Sequence, residues 1–151
     1  MLITEILQPA CIKVPVESKD KKAVITELID QLDAKGLLLD REQALKSVLL
    51  REQTKSTGIG SGIAIPHGKC QAVNELVMAL GIAKEPIEFE SIDGKPVKII
   101  ILLLSPADQT GPHIQALAKI SRLMLDENFK QQLENAESTE KVYELLTSRD
   151  K

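Results

Sequence analysis

One stretch of the sequence combines a histidine with an unusual density of glycines. Three glycines fall at positions 58, 60 and 62, and a short apolar run leads from them to Pro66-His67-Gly68. An imidazole set between proline and glycine at the end of a short strand is held in place and left accessible. Because the unperturbed pKa of imidazole is ~6.5, one ring nitrogen keeps a free lone pair near neutral pH. The stretch therefore predicts a nucleophilic histidine that receives a phosphoryl group.

Phosphoryl transfer sets the requirements for the residues around such a histidine. Its transition state is loose and spreads charge over oxygens, so the protein contributes mainly positioning and positive charge. Backbone N–H groups of a glycine-rich loop approach a ligand closely because no Cβ stands in the way. We therefore predict a phosphate-binding loop made of Thr57, Gly58, Gly60, Ser61, Gly62 and Gly68. Ser56 offers a further hydroxyl, although ordinary turns contain the same residue types.

Two more side chains are candidates for this site. Arg51 falls in the last turn of a predicted helix beside the loop, where its guanidinium offers a charged fork to phosphate. The alternative for Arg51 is a solvated cation at the helix C-terminus. His113 lies at the start of a later predicted helix, whose positive end favours a phosphate, and the alternative is a ring packed against the sheet. For His67 the alternative is a loop histidine that only satisfies backbone groups.

Other motifs built on the same residues fail on spacing. The run from Gly62 to Lys69 has one residue too many for a P-loop, and Cys70 stands where that motif requires Ser or Thr. The glycines do not form a dinucleotide fingerprint. His67-x-x-Cys70 lacks a second Cys/His pair, so no metal is predicted. A hydrolase based on Cys70 lacks an orienting third group, and Glu88 and Glu90 are read as a solvated strand edge.

The composition narrows the function further. Aromatic residues make up only 2% and the net charge is −3, so bases find no stacking platform and a nucleic-acid backbone finds no basic footprint. The 43% hydrophobic and 27% charged residues are typical of a soluble globular protein, and 151 residues suffice for one domain. The sequence shows no signal peptide and no apolar run of the ~20 residues that span a bilayer. Its two cysteines form no disulfide framework, and their number fits a reducing compartment. A cytoplasmic location is predicted.

Helices and short strands alternate along the chain. The spacing of apolar residues predicts a helical turn at 3–7 and a first long helix at 19–35. A second helix is predicted from 40 to 52 or 53, a third begins at 112, and a fourth covers 126–135. The last predicted helix is capped by Ser138 or Thr139. Ser18 is the predicted cap of the first long helix and Gly36 its stop, whereas Asp40 caps the second.

Strands are predicted at 11–16, 63–65, 75–83, 87–90 and 97–104. Pro15 confines the first to a sheet edge or a strand end, and the apolar last one is predicted to be central and buried on both faces. The fold class is therefore α/β: a single-domain layered sandwich with a mixed β-sheet flanked by helices.

Two blocks of the sequence resemble a known family. Residues 62–69, Gly-Ile-Ala-Ile-Pro-His-Gly-Lys, follow Leu-Leu-Arg-Glu at 49–52 and Ser-Thr-Gly at 56–58. They closely resemble the enzyme IIA domain of the fructose/mannitol class of the bacterial phosphoenolpyruvate-dependent sugar phosphotransferase system. Residues 105–124 resemble the segment that carries this family's second active-site histidine. The resemblance covers nearly the whole chain, so we expect one enzyme IIA type-2 phosphocarrier domain over residues 1–151, with its core at about 4–148.

The resemblance implies a mechanism and partners. It implies that His67 takes the phosphoryl group from the phosphocarrier protein HPr and passes it to a cysteine or histidine of a IIB partner, which phosphorylates a fructose-like sugar. Arg51 matches the family's active-site arginine and His113 its second histidine, so these side chains are expected to close the site around His67. No metal or organic cofactor is implied, and contact with a membrane transporter is peripheral at most. The family also contains a nitrogen-related branch that signals to regulatory targets without moving sugar, and both roles stay open.

Overall fold

The structure is a computed structural model that describes residues 2–149, so the ends of the predicted domain, residue 1 and residues 150–151, lie outside the described residues. Helices and strands alternate along the described chain. They are α1 (Ile3–Ile6), β1 (Leu7–Val16), α2 (Lys21–Ala34), α3 (Arg41–Thr54), β2 (Gly58–Gly60), β3 (Ile63–Ala64), β4 (His67–Lys69), β5 (Val77–Ile87), β6 (Val97–Ser105), α4 (Thr110–Leu123), α5 (Glu127–Glu134) and α6 (Thr139–Arg149). None of the helices within 2–149 is long and apolar enough to cross a bilayer.

The strands form one mixed sheet in the order β1-β5-β6-β3-β2, and β4 also pairs with β6. β5 runs antiparallel to β6, whereas β3 and β4 run parallel to it and β1 runs parallel to β5. Helices α2 and α3 pack against each other and against the sheet, and α5 and α6 form a second such pair. This confirms the predicted fold class, a mixed sheet flanked by helices in a layered arrangement.

Strand β6 is the centre of the sheet, as its long apolar run predicts. Every residue from Val97 to Ser105 is buried except Lys98, which is partly exposed. β5 lies on one side of it, and β3 and then β4 lie on the other. The strand ends at Ser105, before Pro106, as expected. Ile99, in the first half of β6, pairs with Ile63 of β3, and Leu103, in its last half, pairs with His67 of β4.

The edge strand and most helix ends also agree with prediction. β1 lies at the sheet edge, and Asp40 caps α3 by accepting a hydrogen bond from the backbone N–H of Gln43. The apolar stripe of α2 is fully buried, and Gly36, at φ +70°, follows its end. Ser138 caps α6, because its hydroxyl accepts a hydrogen bond from the backbone N–H of Lys141 at 3.1 Å.

Two predicted helix starts are wrong. α2 is capped by Asp20, whose carboxylate accepts from the backbone N–H of Ala23 at 2.8 Å, and not by Ser18. The backbone N–H of Ser18 instead donates to Glu27 at 2.9 Å, which holds Ser18 outside the helix. α4 begins at Thr110, two residues before Pro112, because a proline within the first turn removes no hydrogen bond that the helix needs.

The strand predicted at 87–90 does not exist as a separate element. β5 continues without a break through Ile87, and it begins at Val77 instead of residue 75. Phe89 is fully buried outside the strand. Glu90 has φ +54°, a left-handed conformation that a strand does not accommodate. The alternating burial of 87–90 was therefore predicted correctly, but it belongs to a strand end followed by a turn.

Candidate active site

His67 lies on β4, beside the last part of β6. β3 and β4 pair with the same side of β6, and Pro66 between them accepts a hydrogen bond from the backbone N–H of Leu103 at 3.0 Å. The Nδ1 atom of His67 lies 2.7 Å from the carbonyl oxygen of Ile65. Because a carbonyl oxygen only accepts, Nδ1 carries the proton, and Nε2 is left with the lone pair. The local chain thus selects one tautomer, in which Nε2 is the nucleophilic atom.

His113 faces His67 from the first turn of α4. The ring centroids lie 5.5 Å apart and the ring planes are inclined by 59°. His113 is only 5% exposed, and its Nδ1 is hydrogen-bonded to the hydroxyl of Ser105, the last residue of β6. The structure therefore brings together the two histidines that lie in separate sequence blocks.

Both imidazoles are held in the neutral form. Burial lowers the pKa of His67, the positive charge of Arg51 lowers it further, and the hydrogen bond to Ile65 and the charge of Glu52 oppose these effects. Burial, followed by the charges of His67 and Lys69, lowers the pKa of His113 to about 4. At pH 7 the site thus presents two uncharged rings, one of which has a nucleophilic nitrogen.

The lowered pKa values predict how the site and the fold respond to acid. In an NMR titration we expect both histidines to protonate below pH ~6.5, with His113 near pH 4. Between these values the unfolded chain binds a proton at His113 and the folded chain does not. The free energy of unfolding therefore falls as the pH drops from ~6.5 toward about 4. Denaturant titrations should show a smaller decline for His113→Gln, and a His113 that titrates at or above pH ~6.5 would contradict the prediction.

Arg51 contacts the chain just beyond the end of α3, and its charge acts on His67. Its Nη1 donates to the carbonyl oxygen of Lys55 at 2.9 Å, which satisfies an acceptor just beyond the end of α3. Its charge also acts on His67, since it lowers the pKa of that ring. A guanidinium has five N–H donors, so the bond to Lys55 leaves donors for an anion. A second cation, Lys69, was not predicted: its Nζ lies 3.3 Å from the hydroxyl of Thr110 at the start of α4, and its charge acts on His113.

The structure does not bring Gly60, Ser61 and Gly62 to His67. They run from the last residue of β2 through the turn that precedes β3, and the carbonyl of Gly62 accepts from the backbone N–H of Ile99. Ile99 and Leu103, the partner of His67, are four positions apart on β6, about 13 Å along a strand. All three turn residues have positive φ, at 97°, 57° and 81°. The turn geometry therefore accounts for glycine at positions 60 and 62, and the phosphate-binding role of these residues stays a prediction.

The other predicted loop residues are nearer to the site but face neighbouring chain segments. A Cβ on Gly58 would lie 2.3 Å from Ser91 Oγ and 3.0 Å from its Cα, and a Cβ on Gly68 would lie 2.8 Å from Ser47 Oγ. Both glycines thus permit close packing. Thr57 is buried, and its carbonyl oxygen accepts from the backbone N–H of Ile65 at 3.0 Å. Ser56 donates its hydroxyl to the carbonyl oxygen of Phe89.

A packing role for Gly58 predicts a loss of stability on substitution. Gly58→Ala places a methyl group against the backbone of Ser91, so we expect the free energy of unfolding to fall by about 1–3 kcal/mol. The matched control is Gly111→Ala, because nothing lies within 4 Å of a Cβ there and alanine is the better helix former. Urea denaturation compares the two variants with the parent protein. Equal stabilities of both variants would contradict the packing role.

Glu52 is a buried carboxylate that none of the sequence motifs singles out. It accepts hydrogen bonds from the backbone N–H of Thr57 at 2.9 Å and from its hydroxyl, and it pairs with Lys21 Nζ at 2.7 Å. The carbonyl of Thr57 in turn accepts from the backbone N–H of Ile65, whose own carbonyl binds His67, so a chain of hydrogen bonds joins Glu52 to the ring of His67. The available signal was helical spacing: Glu52 follows Ala44 and Val48 on the buried face of α3.

The surroundings of Glu52 are separate from the histidine pair. A cleft of about 570 Å³ opens beside Glu52 and is lined by Lys21, Lys55 and Glu90 among others, but by neither histidine. Within residues 2–149, no group of three or more His, Cys, Asp or Glu side chains is placed to hold a metal ion. The chemistry that this arrangement offers is therefore that of His67, His113 and the two nearby cations.

Comparison with known proteins identifies one protein family. A sequence model of the family described as phosphoenolpyruvate-dependent sugar phosphotransferase system, EIIA 2, matches residues 5–149. The fructose-specific EIIABC component of the phosphotransferase system of Bacillus subtilis is 38% identical over 151 residues, which is 100% of this chain and 24% of that protein. The chain thus spans about a quarter of this relative.

Solved structures agree with the sequence comparison. The nitrogen regulatory protein IIA-Ntr of Neisseria meningitidis superposes with a TM-score of 0.84 at 32% identity. The superposition covers 95% of this chain and 98% of the IIA-Ntr chain. A complex of mannitol enzyme IIA with phosphorylated enzyme IIB of Escherichia coli contains a chain that matches with a TM-score of 0.79 at 23% identity. The match covers 93% of this chain and 96% of that one, and at this identity it shows the common fold.

Proposed function

Because this chain belongs to the EIIA 2 family of the phosphoenolpyruvate-dependent sugar phosphotransferase system, we propose that it is a phosphocarrier that accepts a phosphoryl group on Nε2 of His67. The observation that carries this proposal is the bond from His67 Nδ1 to the carbonyl of Ile65, which leaves Nε2 with the lone pair. The neutral ring of His113, 5.5 Å away, and the charge of Arg51 surround the same ring. We further propose that residues 1–151 form one enzyme IIA type-2 domain with its core at about 4–148.

The proposed reaction consists of two displacements at phosphorus. The Nε2 lone pair of His67 attacks the phosphoryl group on HPr, and the bond from phosphorus to its donor atom breaks, its electron pair returning to HPr. The proton on Nδ1 stays in its hydrogen bond to Ile65, which favours the positive charge that the ring acquires. A nucleophile of a IIB partner then attacks phosphorus, and the N–P electron pair returns to His67. Arg51 and His113 donate to the equatorial oxygens in both steps.

The proposed partners follow from the relatives. HPr is the proposed donor and a IIB domain or protein the proposed acceptor, supported by the mannitol IIA–IIB complex among the structural neighbours. The fructose-specific relative supports uptake of a fructose-like sugar as the purpose of the relay. In this role the protein is cytoplasmic and reaches a membrane transporter only peripherally, through IIB.

Nitrogen-type regulation is the second candidate. It is supported by the similarity to IIA-Ntr, at 32% identity and a TM-score of 0.84. In that role the phosphorylation state of His67 alters the surface offered to regulatory targets, and no sugar is moved. Transfer of labelled phosphate to a fructose IIB domain supports the sugar role, whereas pull-downs whose partners change between the phosphorylated and unphosphorylated protein support the regulatory role.

Labelling tests the shared part of both roles. The protein is incubated with labelled phosphoenolpyruvate, enzyme I and HPr, and the bound phosphate is mapped and tested for chemical stability. We expect one acid-labile, base-stable phosphate on His67, as for a phosphorus–nitrogen bond. Absence of label, or an acid-stable phosphate on a hydroxyl residue, would overturn the proposal.

A further inference from the structure

The hydroxyl of Ser105 contacts the ring of His113 from the end of the central strand. Ser105 is the last residue of β6 and has no exposed surface. Its main chain is engaged in the sheet, where its carbonyl oxygen accepts from the backbone N–H of Cys70 at 3.0 Å. Its Oγ is hydrogen-bonded to Nδ1 of His113, and within residues 2–149 no other partner of this hydroxyl is found. The side chain is thus committed to one interaction.

The direction of this hydrogen bond follows from counting protons. A serine hydroxyl has one proton to donate, and Nδ1 of a neutral imidazole either accepts or donates. If Nδ1 donated, the hydroxyl proton of Ser105 would be buried without an acceptor, which costs about 1–3 kcal/mol. If the hydroxyl donates to Nδ1, the hydroxyl proton and the Nδ1 lone pair satisfy each other. The second arrangement is favoured, and it places the ring proton of His113 on Nε2.

We propose that Ser105 is a positioning residue that holds His113 in the tautomer protonated on Nε2, so that this ring offers an N–H donor to a phosphoryl group on His67. The inference rests on the proposed function for the purpose of the donor, but not for the tautomer itself. With Nδ1 bound to Ser105, Nε2 is the remaining polar atom of the ring, and the ring lies 5.5 Å from that of His67. The opposite tautomer would present a lone pair to an anionic oxygen and repel it.

The two histidines then have complementary tautomers. Ile65 holds the proton of His67 on Nδ1 and frees Nε2 as a nucleophile, whereas Ser105 holds the proton of His113 on Nε2 as a donor. The two atoms that select the tautomers are the carbonyl oxygen of Ile65 and the hydroxyl oxygen of Ser105. The first belongs to the chain between β3 and β4, and the second lies at the end of β6. The neutral state of both rings at pH 7 makes the choice of tautomer matter, because an imidazolium would carry both protons. Ser105 therefore acts on the site indirectly, because it fixes the tautomer of His113.

A matched pair of variants isolates the hydroxyl. Ser105→Thr and Ser105→Val introduce side chains of nearly the same shape, so both carry the same packing cost, and only Thr keeps the hydroxyl. The ring nitrogens of His113 are observed by ¹⁵N NMR at neutral pH in the unphosphorylated protein, where protonated and unprotonated nitrogens are well separated. We expect protonation on Nε2 in the parent and in Ser105→Thr, and a mixture of tautomers in Ser105→Val.

Transfer kinetics provide the second readout. The rate of phosphoryl transfer from HPr should fall on the order of two- to tenfold in Ser105→Val relative to Ser105→Thr. Protonation of His113 on Nδ1 in the parent, or identical tautomers in Thr and Val variants, would overturn the inference. Because the NMR measurement needs no phosphate, a failure of the proposed function appears separately, as absent labelling of His67 alongside the expected tautomers. Equal transfer rates in the two variants, with tautomers as expected, would remove the donor role.

Discussion

His67→Gln is expected to abolish phosphoryl acceptance and leave the fold intact. Glutamine is close to histidine in size, and its amide can still donate to the carbonyl oxygen of Ile65, so the end of β3 keeps its hydrogen bond. The amide nitrogen has no available lone pair, because it is delocalised into the carbonyl group, so no N–P bond forms. Label from phosphoenolpyruvate, passed through enzyme I and HPr, should therefore not appear on the variant. Circular dichroism and urea denaturation check that the variant is folded.

His113→Gln is the matched control, since the same substitution is made on the opposing ring. It removes a donor and a buried ring but leaves the lone pair of His67, so the protein should still be labelled, at a reduced rate. Removal of one donor to a charged transition state typically slows a reaction by about 10²- to 10³-fold when that donor is fully engaged. Full labelling of His67→Gln together with none on His113→Gln would reverse the two roles. Labelling of both at the parental rate would remove both residues from the site.

The approach of the two histidines was expected from the family resemblance, and the structure gives its physical basis. His67 follows a short apolar strand and a proline, and His113 follows the end of a long apolar strand by a short loop. Since β6 is apolar from Ile99 to Leu104, its place at the centre of the sheet agrees with burial on both faces. Strands that run parallel to it end at the same edge, which brings both histidines to one place.

The glycines admit two explanations for a physical reason. A glycine is needed wherever the backbone takes positive φ or lies close to another chain segment, and a ligand is only one such neighbour. Here the turn from Gly60 to Gly62 has positive φ, and Gly58 lies against Ser91. The sequence alone does not distinguish a hairpin turn from a phosphate-binding loop, because both require the same residue.

The contacts of Glu52 and Ser105 lay beyond local sequence patterns. Glu52 is a charged residue on a buried helix face, which signals an internal partner but does not identify it as Thr57. Ser105 looks like the end of a strand, and its bond to His113 depends on where the first turn of α4 lies relative to the end of β6. Such contacts arise from packing between elements, which hydrophobic periodicity does not specify.

Arg51→Ala is expected to slow phosphoryl transfer to His67 by about 10²-fold while the protein stays folded. The guanidinium is the charged donor from α3 that acts on His67, and its loss removes positive charge where the transition state spreads negative charge. Its bond to the carbonyl of Lys55, an exposed residue, is replaced by water at little cost. Arg41→Ala is the control at the other end of the same helix: it breaks ion pairs with Asp30 and Glu42, and its transfer rate should equal that of the parent.

Arg51→Lys separates the two effects of the guanidinium. Its positive charge lowers the pKa of His67, so an NMR titration should find a higher pKa in Arg51→Ala and a nearly parental pKa in Arg51→Lys. If charge alone matters, the lysine variant also recovers the transfer rate. If the planar fork is needed to bind two phosphoryl oxygens at once, the lysine variant recovers the pKa but not the rate. We expect the second result, because the charge-spread transition state presents three equatorial oxygens and a compact ammonium engages them less well. Parental rates in both variants would leave Arg51 with only its role at the end of α3.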